Sequence, residues 1–196
     1  MKKKRKEGNL TALLNSIRSK LPTRGEAFPV FSTVVFIVFT WSFYRMAWQL
    51  QSWLYTLSIK GVLIIAAYVL AFSLFESFVV FIFLVIFSLL FPRKLFKDKF
   101  IPQGMALMIT ISVGAIFLQR RIGILYKLEL EQLIISALLV LVSIILILLV
   151  FSFAFSKFPK LAKLVRDIAD RMMIFSFIYI PLGLVCLIVV LARNIF

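Results

Sequence analysis

In 196 residues the chain is 63% hydrophobic and only 16% charged, and Lys and Arg outnumber Asp and Glu by 23 to 8, a net charge of +15. A soluble domain is about half apolar and about a quarter charged, so this balance excludes a water-soluble globular protein. It speaks against nucleic acid as well, because the basic residues flank long apolar runs instead of forming a water-exposed basic face.

Long apolar runs separated by short basic stretches predict an all-α fold, a polytopic membrane helical bundle of about five transmembrane helices with short amphipathic helices at the interface. Residues 1–24 form a basic tail and residues 25–196 a single transmembrane domain. The opening "MKKKRK" resembles the basic start of a signal peptide. The first apolar run begins only near Phe28, however, and no A-x-A site follows at the right distance, so the expectation is an uncleaved membrane helix. Within the tail, "NLTALLNSIRSKLP" places Leu10, Leu13, Leu14, Ile17 and Leu21 at helical spacing, with Arg18 and Lys20 on other faces. That pattern predicts a helix lying on an anionic leaflet and ended by Pro22.

The first span is expected over 28–57, with Pro29 tolerated at the helix start. Arg45 interrupts its apolar run, and Trp41, Tyr44, Trp48, Trp53 and Tyr55 cluster as they do where a helix meets lipid headgroups. The second span, 61–91, has no Pro and no Gly after Gly61. At roughly 46 Å by helical rise it suits one tilted, protruding helix. After the basic loop "PRKLFKDK", residues 101–118 give the shortest span, for which a re-entrant segment is the alternative. Ala106, Thr110 and Gly114 fall four apart there and predict a small face for close helix packing. A polar connection over 119–132 leads to the span 133–155. "SKFPKLAKLVRDIADR" reads as an interfacial helix with Phe158, Leu161, Leu164, Val165 and Ile168 on one side. The last span, 172–192, carries Pro181 and Gly183, which predict a kink.

Five crossings put 17 of the 23 Lys and Arg in segments on one side, which the positive-inside rule assigns to the cytoplasm together with the N-terminus. The expected location is a plasma membrane, the inner membrane in a bacterial cell, with anionic lipids against the cytoplasmic face.

The chemistry-bearing residues are few. The chain has no His and one Cys, Cys186, which reads as a small buried hydrophobe. No Walker, dinucleotide or nucleophile-elbow pattern occurs. The acids have no metal-ligand spacing beyond Asp167 and Asp170, which Arg166 and Arg171 flank and could neutralise. No metal, no cofactor and no enzymatic activity are expected.

Glu76 is the exception, a carboxylate inside "AFSLFESFVVFIF". An acid at membrane depth costs at least a few kcal/mol and is by default a functional candidate. It can be neutral and hydrogen-bonded with Ser73 or Ser77 nearby, carry protons or cations, or pair with a cation on another helix. A hairpin folded at Lys60-Gly61 favours the last, because Arg45 lies 15 residues before Lys60 and Glu76 lies 15 after Gly61. The expectation is an Arg45–Glu76 pair that fixes the register of the first two helices. Two functions remain open. One is a non-catalytic subunit or scaffold that packs against other membrane proteins; the other is a small transporter or channel working at Glu76. Because polar residues are isolated on the remaining spans, the first is preferred.

Overall fold

The computed structural model describes residues 21–90, 100–125 and 130–195. The tail helix expected over 9–22 and the basic loop 92–99 therefore lie almost wholly outside the described residues. What is described consists of five helices: α1 (Arg24–Thr56), α2 (Ile59–Leu90), α3 (Phe100–Leu125), α4 (Leu130–Lys157) and α5 (Pro159–Ile195). There is no strand among the described residues, and all five helices are long and apolar enough to cross a membrane. The stretch that could have been re-entrant is one unbroken helix of 26 residues.

The boundaries follow local capping. α1 starts four residues before Phe28, so Pro29 lies inside the helix and not at its start. Thr23 sets that start. Its N–H donates to the Glu26 carboxylate at 2.9 Å, and its hydroxyl donates to the same oxygen at 2.7 Å. The acid thus occupies the first turn, where the helix dipole favours it.

At the other end of α1 the chain turns at Leu57 and Ser58, earlier than the Lys60-Gly61 turn read from the sequence. Leu57 is extended (φ −124°, ψ 155°), and the Ser58 hydroxyl accepts from the Gly61 N–H at 3.3 Å. Serine at a helix N-cap satisfies an otherwise orphaned donor, and Gly61 is left in the first turn of α2 with ordinary negative φ. This end of the molecule is called the hairpin end below, and the end where α1 begins is called the tail end.

The segment read as an interfacial helix and the last span are one helix, α5, of 37 residues. It begins at Pro159, where the missing N–H of a first-turn proline costs nothing. Phe158 is the one residue separating it from α4. It donates to Ala154 at 2.8 Å and accepts from Leu161 at 3.0 Å.

α1, α2 and α5 pack tightly on one another, while α3 and α4 stand outside them. Toward the hairpin end the core is Val35, Phe39, Leu70, Ala71, Leu74 and Cys186. Phe39 stacks on Tyr179 with ring centroids 5.2 Å apart and planes at 7°, in an aromatic group that includes Phe36, Phe43 and Phe175. Gly183 lets α5 approach: a Cβ there would lie 3.0 Å from both Leu74 Cβ and Phe39 Cζ. The tail-end core is broader and includes Val30, Val34, Val38, Leu84, Phe87, Met105, Leu107 and Met108. Among the described residues α4 enters it through Leu148, with Ile144 packed against it, and Ser152 and Phe155 are buried further along the helix.

Candidate functional site

The depth of Glu76 follows from one hydrogen bond. Ser73 Oγ lies 2.7 Å from Ser42 Oγ and 2.7 Å from the Val69 carbonyl oxygen. With one proton each, Ser73 donates to Val69 and Ser42 supplies the proton between the two hydroxyls. This bond sets Ser42 level with Ser73, so Glu76 is level with Phe39 and Arg45 with Leu70. Arg45 is thus six residues, about 9 Å by helical rise, further toward the hairpin end than Glu76. Among the described residues no ion pair joins them. The cause is the early turn: moving the fold point from 60–61 to 57–58 shifts every cross-hairpin partner by six positions.

The serines near Glu76 do not serve it either. Ser77 is fully buried and donates to the Ser73 carbonyl at 2.7 Å, while Ser73 is engaged as described. Short hydroxyl side chains on a helix commonly turn back to the preceding carbonyl in this way. Ser112 does so too, donating to Met108 at 2.8 Å.

Glu76 itself is exposed, 17 residues from the start of α2 and 14 from its end, or about 26 Å and 21 Å by rise. It forms part of the wall of two clefts. The smaller, about 340 Å³, runs from Glu76 toward the hairpin end along Ser73, Phe72, Val69, Tyr68 and Ile65, with Ser42 opposite. Along it the Tyr68 hydroxyl donates to Asn194 Oδ1 at 3.2 Å and accepts from Asn194 Nδ2 at 2.9 Å, tying α2 to the end of α5.

The larger cleft, about 510 Å³, lies between α1 and α3 with Glu76 and Val80 at its back. It exists because α3 leaves the core. Residues 101–108 of α3 are buried, whereas the described side chains beyond Met108 are exposed or half-buried. Close approach occurs at Gly104, where a Cβ would lie 3.0 Å from a Val30 methyl. It does not occur at Gly114, which has nothing within 4 Å. In the row expected to form a packing face, then, Ala106 is buried, Thr110 is half-buried with its hydroxyl on the Ala106 carbonyl at 2.8 Å, and Gly114 faces open space.

The cleft wall on α1 carries Trp41 and Tyr44, with ring centroids 5.7 Å apart, together with Phe36 and Thr40. Met108 and Val38, which line its tail-side floor, belong to the packed core below. The smaller cleft therefore extends from Glu76 toward the hairpin end, whereas the larger spans both sides of the Glu76 level, from Phe36 and Val80 to Tyr44, with the packed tail-end core below it.

No family model, curated protein or solved structure matches this chain. The site is accordingly interpreted from its own geometry. Glu76 was legible as an expensive residue. The roles of Gly104 and Gly183 were not, because a glycine in a helical run looks the same whether a neighbour touches it or not. Trp41 and Tyr44 could have been paired from their i, i+3 spacing, but the interfacial reading of the aromatic cluster accounted for them first.

Proposed function

We propose that the chain is a non-catalytic subunit or scaffold of a membrane assembly. We place it in a plasma membrane, the inner membrane in a bacterial cell, with its N-terminus cytoplasmic and its basic segments against anionic lipid. The observation that carries this reading is the closed packing below the larger cleft. Val34, Leu84, Met105 and Leu107 fill the space a permeation path would need toward the tail end, and all are buried and apolar. A path for ions lines successive levels of several helices with polar groups, whereas here the hydroxyls of Thr33, Ser73, Ser77, Thr110 and Ser112 are bound to carbonyls of their own helices; Ser32 and Gln103 are the buried side chains with polar atoms left unpartnered among the described residues.

The second reading, a transporter or channel working at Glu76, is favoured by the exposure of that carboxylate to two clefts. The two are separated by reconstituting the purified chain into liposomes and measuring proton and monovalent-cation flux with entrapped dyes. The scaffold reading expects no flux above empty liposomes, and retention of another membrane protein at fixed stoichiometry on purification in mild detergent. Flux that disappears in Glu76→Gln would replace it with the transporter.

A further inference from the structure

We infer that the larger cleft beside Glu76 binds an organic monocation carried on an apolar body, with the carboxylate as counter-ion and the Trp41 and Tyr44 rings as its cationic-group wall. The argument begins with what Glu76 lacks. Among the described residues it has no ion pair and no hydrogen bond, and Ser73, Ser77 and Ser112 direct their protons to backbone carbonyls. A carboxylate halfway along an apolar helix needs a compensating partner, and the nearest cation by register, Arg45, lies about 9 Å too far toward the hairpin end. In this inference a bound ligand supplies that counter-charge.

The lining selects the kind of cation. Hard divalent ions take six or more oxygens, and one carboxylate with scattered hydroxyls does not supply them; no three His, Cys, Asp or Glu converge among the described residues. Instead Glu76 faces a cleft whose other wall holds two neighbouring aromatic rings, the arrangement that recognises ammonium groups through the ring quadrupoles. Phe36, Ile111 and Ile116 are among the side chains that make most of the remainder apolar, with Thr40, Ser112 and Gln119 as its polar members. At about 510 Å³ the space lies within the range of small-molecule sites. A single positive charge neutralises the single acid, and the body of the ligand replaces lipid against the apolar walls.

The test uses the full chain in uncharged maltoside micelles, with Trp48→Phe and Trp53→Phe leaving Trp41 as the only tryptophan. Titration with octyltrimethylammonium is expected to shift Trp41 emission saturably, octanol is expected not to, and Glu76→Gln is expected to weaken the cation's affinity about tenfold or more. A second measurement needs no substitution: a hydrophobic carbodiimide should label Glu76, and octyltrimethylammonium should protect it, as read by mass spectrometry. Competition by added phosphatidylcholine would assign the cation to a lipid headgroup, and its absence would assign it to a free amphiphile; both support the inference. Equal binding of octanol, unchanged affinity in Glu76→Gln, or carbodiimide labelling indifferent to the cation would overturn it. So would a crosslink from position 76 to a basic residue of a co-purified membrane protein, which would make a partner helix the source of the charge.

Discussion

Substituting Gly183 tests the central packing directly. An added Cβ would lie 3.0 Å from Leu74 Cβ, 3.0 Å from Phe39 Cζ and 3.3 Å from Leu74 Cδ2. Neither neighbour has room to retreat, since Phe39 is 0% and Leu74 3% exposed. Adding a methyl to a full site costs about 1–3 kcal/mol, and replacing glycine inside a helix returns up to about 1 kcal/mol. Gly183→Ala should therefore lose about 1 kcal/mol net, and Gly183→Val, with two further carbons to place, about 3 kcal/mol. Gly114 is the internal control: with nothing within 4 Å, Gly114→Ala should hold or gain stability. Thermal unfolding in mild detergent reads the difference, with about 2–4 °C of midpoint per kcal/mol for a chain of this size. If Gly183→Ala unfolds no earlier than the native chain, or if the two alanine variants behave alike, the close approach of α5 to α1 and α2 is wrong.

Two further predictions concern polar groups. Gln103 is 1% exposed, and neither its amide nitrogen nor its oxygen has a partner. Gln103→Leu should raise stability by about 1–3 kcal/mol in the same unfolding assay, because it removes a desolvated group that nothing satisfies; a loss would mean that the amide is bound, for example through ordered water. For Arg45→Ala and Glu76→Ala the nine-ångström offset predicts additive effects, the double variant matching the sum of the singles within about 0.5 kcal/mol. A coupling above about 1 kcal/mol would restore the register centred on Lys60-Gly61.

What was legible in the sequence was whatever depends on long averages. Five apolar runs became five helices, and the expense of Glu76 was plain from its neighbours. Register was a different kind of quantity. It depended on whether Ser58 or Gly61 took the turn, a contest between an N-cap serine and a flexible glycine that three residues of sequence leave open. That local choice moved Arg45 away from Glu76. Helix ends were similarly sensitive: Thr23 and Glu26 extended α1 back past Pro29, and the last helix ran on through Arg171 and Met172, joining two expected helices into α5. The opening of α3 away from α1 beyond Met108, which creates the larger cleft, left no signature in hydropathy because lipid-facing and buried positions are both apolar.

The position of α5 has a consequence for the order in which the molecule can be made. α1 and α2 meet as neighbours in the chain, yet the surface that completes them belongs to a helix separated from them by all of α3 and α4. During synthesis the first hairpin precedes α5, so the surface of Phe39 and Leu74 that Gly183 covers lacks that cover until α5 is available to seat against it. Insertion and assembly are thus separated in time. For that interval the nascent protein is an incomplete bundle whose side is open in the plane of the membrane, and any chaperone or partner acting before closure would find its binding surface there.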